Sequence, residues 1–179
     1  MRMRLYPYSK RFAPTFNKER RKISAALGKC EIQHVGSTAV PGLGGKGIVD
    51  IMIALDNWKG ENEVIEKLRS LGFKHIHPKQ RGWIFLSRTG PTKYGDTHLH
   101  LVKKGSYPYR EMLTFRDHMR SHPKEAERYW KLKLSWFKET RGVRRRYTAA
   151  KESYVKNIWR RSRQQHSSSK RCSTRSYFD

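Results

Sequence analysis

Cysteines, acidic residues and long apolar runs are all scarce in this chain. The two cysteines, Cys30 and Cys172, stand far apart in its 179 residues, which excludes a disulfide framework and a C-x-x-C pair for zinc or redox chemistry. We therefore expect a reducing, cytoplasmic setting. No apolar run reaches the roughly 20 residues that span a membrane. The basic N-terminus also lacks the apolar segment of a signal peptide.

The shortage of acidic residues leaves a large excess of positive charge. Asp and Glu number 15 against 40 Lys and Arg, and the formal net charge is +25. Such a charge attracts anionic partners and speeds their association. Nucleic acid could bind non-specifically to the basic surface. Charge alone does not separate this interpretation from that of an ordinary solvated surface.

The chain is long enough for one domain with a core, although only 36% of its residues are hydrophobic. Its 5 Trp, 9 Tyr and 7 Phe compensate in part, because aromatic side chains bury large areas. From Arg160 onward the sequence is rich in Ser and Arg and almost free of apolar residues. We therefore predict a folded domain over residues 1–159 and a disordered basic tail over 160–179.

The hydrophobic periodicity predicts helices and strands first, and then helices only. A helix is expected over Pro14 to Leu27 and another around Val64 to Leu71, with three more opening near Tyr109, Pro123 and Tyr147. The predicted strands are Glu31 to Val35, Ile48 to Leu55, Trp83 to Leu86 and His98 to Val102. This order predicts an α+β fold: a mixed β-sheet with flanking helices and a C-terminal helical layer.

A glycine-serine turn follows the first predicted strand. Gly36 allows a tight turn after Val35, and Ser37 and Thr38 offer hydroxyls beside exposed backbone N–H groups. Such a turn can hold phosphate oxygens. Equally, the glycine could simply make a turn and the hydroxyls could cap a short helix.

Asp50 lies within the most apolar predicted strand. A carboxylate among Ile and Val is costly to bury unless it has a partner. A divalent metal, Lys46 or a histidine would each serve, and an ordinary buried salt bridge is the alternative.

Two histidines and several basic residues complete the candidate site. His98 and His100 alternate along one strand and so point to the same side, where they could act as metal ligands, phosphate ligands or acid–base groups. The alternative is a half-exposed pair on a sheet face. Further phosphate-binding candidates lie on the C-terminal helices; they are Arg116, Arg120, Lys133, Tyr147 and Lys151. For these, surface charge paired with nearby acids is the alternative.

Several motifs together resemble the GrpB family over about residues 6–159. They are HVGSTAVPGL from His34, Lys46 with IVDI, THLHL from Thr97, FRDHMRSHP from Phe115, and YWKLK from Tyr129. The resemblance implies a nucleotidyltransferase-like fold in which the Gly36–Ser37 turn holds nucleotide phosphates and Asp50 binds Mg²⁺. His98 and His100 belong to the family motif, which favours their place in the pocket.

One position departs from the nucleotidyltransferase pattern. The superfamily has a second carboxylate two residues after Asp50, and this chain has Met52, which cannot bind a hard oxygen-seeking cation. We therefore expect Mg²⁺ to bind weakly, if at all. Two functions remain open. One is an enzyme acting on a nucleotide or another phosphorylated small molecule. The other is a non-catalytic nucleotide- or RNA-binding module.

Overall fold

A mixed five-stranded sheet forms the centre of the part of the chain that the structure describes. The computed structural model describes residues 3–75, 82–90 and 96–173. The strands are β1 (Glu31–Val35), β2 (Val49–Leu55), β3 (Lys74–His75), β4 (Trp83–Arg88) and β5 (Thr97–Lys103). Their order is β1-β2-β5-β4-β3. Only β2 and β5 pair in parallel among these strands.

Five α-helices surround the sheet in the described ranges. They are α1 (Phe12–Leu27), α2 (Glu61–Ser70), α3 (Tyr107–Ser121), α4 (Pro123–Glu139) and α5 (Arg144–Ser173). The predicted α+β class, the mixed sheet and the C-terminal helical layer are confirmed. No helix within the described ranges has both the length and the apolar character needed to cross a bilayer.

One face of the sheet carries the main apolar core. Because side chains alternate along a strand, the odd-numbered residues of β2 and β5 share this face. Ile51, Ile53 and Leu99 are completely buried there. They pack in one cluster with Phe16 of α1 and Leu68 of α2. Removing this apolar surface from water supplies the main driving force for the fold.

The opposite face is only partly apolar. Met52, Ala54 and Val102 are buried in a smaller cluster. It is covered by α3 through Met112 and Leu113. The same face continues towards the start of β2 and β5, where the even-numbered side chains are polar. The candidate site lies at this end.

The last helix is longer than the sequence pattern predicts. We expected it to end near Trp159, but α5 continues to Ser173. Loss of apolar periodicity marks where packing against the body ends, whereas Arg, Gln and Ser are still compatible with helix. The predicted boundary at residue 160 therefore falls inside α5. The division into domain and disordered tail stays a prediction.

Candidate functional site

Asp50 is the centre of the site, and two histidines contact it. The parallel register of β2 and β5 sets Asp50 beside His98. Nδ1 of His98 lies 3.3 Å from Oδ1 of Asp50, and Nε2 of His100 lies 3.5 Å from the same oxygen. Burial acts to raise the pKa of the Asp50 carboxyl, but hydrogen bonds from His100 and His98 outweigh it and hold that pKa well below its ordinary value. Asp50 is therefore a carboxylate.

Trp83 determines which nitrogen of His100 carries the proton. Its Nε1 lies 3.3 Å from Nδ1 of His100. Because an indole N–H only donates, Nδ1 must be the acceptor, and Nε2 carries the proton that it donates to Asp50. Sequence analysis missed this residue. Alternation in the predicted strand placed Trp83 and Phe85 on one face, but nothing in the sequence gave the pairing of β4 with β5.

His98 differs from His100 in the surroundings of its second nitrogen. Its Nδ1 is directed at Asp50, and its ring makes an edge contact with Phe85, with centroids 4.9 Å apart. The described residues supply no partner for Nε2, and the side chain is 20% exposed. A carboxylate on Nδ1 orients the imidazole so that Nε2 can exchange a proton with a bound molecule.

Gly36 brings the loop directly against Asp50. Its φ of +69° lies in a region that side chains disfavour, and a Cβ at this position would collide with the Asp50 carboxylate. The turn leads into a short 3₁₀ helix, Ser37–Ala39. The predicted phosphate-binding turn therefore lies beside the predicted catalytic aspartate.

Thr38 is engaged inside the protein. Its hydroxyl lies 3.0 Å from Nε2 of His34, whose ring stacks on Phe16. Burial lowers the pKa of His34 to about 4, with Asp50 acting in the opposite direction. His34 is thus neutral near pH 7. The pair stabilises the base of the loop, so that Thr38 is placed differently from the substrate contact that we predicted.

Lys133 lies under the same loop and is almost completely buried. It is 3% exposed and donates a 2.7 Å hydrogen bond to the carbonyl of Gly44. Its Nζ lies 4.9 Å from the centroid of the Tyr129 ring. A methyl group built on Gly45 would lie 2.5 Å from Oγ of Ser37 and 3.4 Å from Nζ of Lys133. The lysine and the serine thus border the same small space.

Lys46 and Lys151 extend this positive region. Nζ of Lys46 lies 5.3 Å from the centroid of the Tyr147 ring. Burial lowers the pKa of Lys46 to about 8, the charges of Lys151 and Arg144 lower it further, and Asp50 opposes them. We call Lys46, Lys133 and Lys151 the lysine cluster. The structure therefore brings together four predicted substrate-binding residues, Tyr147 among them.

The two predicted arginines are used differently. Arg116 donates to Oε1 of Gln33 at 2.8 Å and to Oδ1 of Asp117 at 2.7 Å. Arg120 donates from Nε to the carbonyl of Ala39 at 2.8 Å. Both guanidinium groups tie α3 to β1 and to the loop. Their contacts hold the site in place, and their predicted role in binding substrate has no support from this geometry.

The residues around Asp50 do not fit a resident Mg²⁺ ion. Mg²⁺ requires several oxygen ligands in near-octahedral geometry, whereas the neighbours of Asp50 are imidazoles that donate to it. Met52 is fully buried in the apolar cluster under α3. Asp96, which we expected to join the site if the strand reached it, accepts the backbone N–H of Gly90 at 3.1 Å. Among the described residues, no three His, Cys, Asp or Glu side chains are grouped to hold a metal.

Known proteins resemble this chain in sequence and in fold. A UPF0157 protein of Streptomyces coelicolor is 31% identical over 152 residues, which are 84% of this chain and 79% of its own. The glutamate-rich protein GrpB of Alkalihalophilus pseudofirmus is 28% identical over 160 residues, which are 86% of this chain and 92% of its own.

Solved structures extend the comparison of the fold. The crystal structure of GrpB from Enterococcus faecalis matches with a TM-score of 0.79 at 21% identity, over 91% of this chain and 99% of that one. Cid1, an RNA terminal uridylyl transferase, matches with a TM-score of 0.53 at 16% identity, over 74% of this chain and 41% of its own. The fold is therefore nucleotidyltransferase-like. The family model described as GrpB protein matches residues 2–161, and this chain belongs to the GrpB family.

Proposed function

We propose that this chain binds a nucleotide or another phosphorylated small molecule at the Gly36–Ser37 turn and acts on it with an Asp50–His98 pair. The observation that carries the proposal is the convergence of a glycine-serine turn, a carboxylate-oriented imidazole and the lysine cluster on one loop. Sites that combine convergent polar groups with perturbed pKa values are frequently functional.

The phosphate-binding half rests on Ser37 and the lysines. The Ser37 hydroxyl and the Lys133 ammonium border one space, and Lys46 and Lys151 add positive charge from the loop and from α5. Lysine binds phosphate as a point charge. The partial burial of these groups strengthens their interaction with an anion, because solvent screening is weaker there.

The chemical half rests on His98. Asp50 accepts from Nδ1 and leaves Nε2 to take a proton from an attacking hydroxyl or to return it to a leaving group. His100 takes no direct part, because its Nδ1 accepts from Trp83 and its Nε2 donates to Asp50. No step runs through a metal, and weak association of Mg²⁺ with Asp50 stays a prediction.

A nucleotide panel tests the proposal. We expect thermal shift and equilibrium binding to detect at least one nucleotide on the full chain, and Ser37→Trp to abolish it by filling the turn. Ser24→Trp, at an exposed position of α1, is the matched control. His98→Asn should retain binding and lose turnover in a mass-spectrometric search for products. Absence of binding by any nucleotide or sugar phosphate would overturn the proposal.

A second function is favoured by one observation. The position of the second metal carboxylate is occupied by Met52, which is fully buried. A binding module that kept the pocket and lost the chemistry would have this feature. It predicts nucleotide or RNA binding that His98→Asn does not alter, and no product under any condition. The basic surface would then add RNA affinity that falls steeply with salt.

A further inference from the structure

The lysine cluster is unusual because it is buried without a carboxylate partner. Within the described residues, none of Lys46, Lys133 and Lys151 forms an ion pair, whereas Lys67, Lys104 and Lys131 on the surface do. Burying an ammonium group without a counter-charge is costly. Lys133 has three N–H donors, and one of them is directed at the carbonyl of Gly44.

The charges that face the cluster come from three elements and from the loop. Lys133 on α4 faces Lys151 on α5 and Lys46 on the loop, with Asp50 on β2 as the opposing acid. Lys46 faces Lys151 and Arg144 on α5, again with Asp50 opposing. Four cations therefore share one carboxylate, which the two histidines already use. An anion that entered this space would balance the remaining charge.

We propose that the lysine cluster and Ser37 form a subsite for a polyphosphate chain of at least two phosphoryl groups, and that the anion draws a proton onto the cluster as it binds. The proposal rests on the proposed function and narrows its ligand class. A single phosphoryl group reaches only part of a cluster that involves the loop, α4 and α5. A chain of phosphoryl groups can contact all three elements.

The proton follows from the state of the empty site. Burial, with the charges of Lys151 and Lys46, lowers the pKa of Lys133 well below its ordinary value, and the pKa of Lys46 is about 8. An adjacent polyanion favours the charged form and raises both values. The neighbouring phenols are not the proton source, because burial raises the pKa of Tyr129 well above its ordinary value and that of Tyr147 to about 12. The proton must come from the solvent.

Calorimetry on the full chain tests both parts. Inorganic triphosphate, pyrophosphate and orthophosphate are titrated without metal near pH 8, each in two buffers of different ionisation enthalpy. We expect triphosphate to bind at least about tenfold more tightly than orthophosphate. We also expect the observed heat to differ between buffers in the sense of proton uptake. Lys133→Met and Lys46→Met should each weaken triphosphate binding and reduce the uptake.

The matched control is Lys131→Met, which removes an exposed lysine from the same helix and should change neither result. Circular dichroism shows whether Lys133→Met folds, and Lys46→Met, at a half-buried position, provides a second variant. Equal affinity for orthophosphate and triphosphate, or binding without proton uptake, would overturn the inference. If nucleotides bind while Lys133→Met and Lys46→Met have no effect, the proposed function stands and only the subsite falls. If no nucleotide or phosphate binds, both fall.

Discussion

One face of the sheet is covered by α1 and α2, and the other is shared between α3 and the candidate site. The same two strands, β2 and β5, supply both faces. Their odd-numbered residues, such as Ile51 and Leu99, are buried and apolar. Their even-numbered residues, such as Asp50 and His98, are polar and partly exposed at the start of the strands.

This comparison shows how one strand register serves stability and chemistry together. The apolar face is insensitive to which hydrophobic residue fills each position, provided that the volume is kept. The polar face depends on particular atoms, since Nδ1 of His98 and Nε2 of His100 both contact one oxygen of Asp50. Substitutions on the two faces should therefore have different consequences.

The largest effect on folding is expected on the apolar face. Leu99→Ala removes a completely buried side chain from the main cluster and should lower the free energy of unfolding by about 3 kcal/mol. Denaturant unfolding measures the loss. The fraction that remains folded should still bind the nucleotide, since Leu99 points away from Asp50. A specific loss of affinity at full folding would show that the two faces are not independent.

Gly36→Ala should be the most damaging single change on the polar face. The variant has an unfavourable positive φ, which costs about 1 kcal/mol, and its Cβ collides with the Asp50 carboxylate. Gly28→Ala is the matched control, because Gly28 also has a positive φ, of +76°, but nothing lies within 4 Å of its Cβ position.

Denaturant unfolding and nucleotide binding compare the two glycine variants. We expect Gly28→Ala to lose only the conformational cost and to keep full affinity. Gly36→Ala should lose more stability and should bind no nucleotide. Equal losses in both variants would mean that the contact of Gly36 with Asp50 has no energetic importance.

Much of this arrangement could be predicted from local sequence signals. Strand alternation predicted that His98 and His100 share a side, and the glycine-serine turn predicted a tight bend before Asp50. The motifs that resemble the GrpB family predicted the mixed sheet and the helical layer. These signals are local in sequence, or they belong to the family pattern as a whole.

What the sequence could not provide were contacts between distant segments. The bond from Trp83 to His100 joins residues 17 positions apart, and that from Lys133 to Gly44 joins residues 89 apart. Arg116 was predicted to bind substrate because it shares a helix face with Arg120. Its internal acceptor, the side chain of Gln33, lies 83 residues away. Residue type alone does not reveal whether a guanidinium group is already engaged inside the protein.

Acid titration provides a third test of the polar face. The pKa of Asp50 is lower in the folded protein than in the unfolded chain, where it is about 3.9. The stabilisation by Asp50 is therefore complete above about pH 4 and is lost as the pH falls below that value. Asp50→Asn should flatten this part of the stability profile. Asp56→Asn, at an exposed aspartate beside Lys104, should leave it unchanged, and an unaltered slope in Asp50→Asn would show that the histidine contacts do not stabilise the carboxylate.

The smallest expected effect concerns Mg²⁺ at the border between the apolar and polar parts of the second face. Met52 follows Asp50 on the same side of β2 and is paired in register with His100. With a single carboxylate available, calorimetry should detect only weak Mg²⁺ binding to the unmodified chain. Met52→Asp adds an oxygen ligand beside Asp50 and should strengthen binding, at a cost in stability because the new carboxylate enters an apolar cluster. Met52→Leu keeps that cluster apolar and should change stability by less than about 1.5 kcal/mol and leave Mg²⁺ binding weak. Tight Mg²⁺ binding by the unmodified chain would contradict the assignment of Asp50 as a partner of histidines, and would require oxygen ligands from elsewhere in the protein.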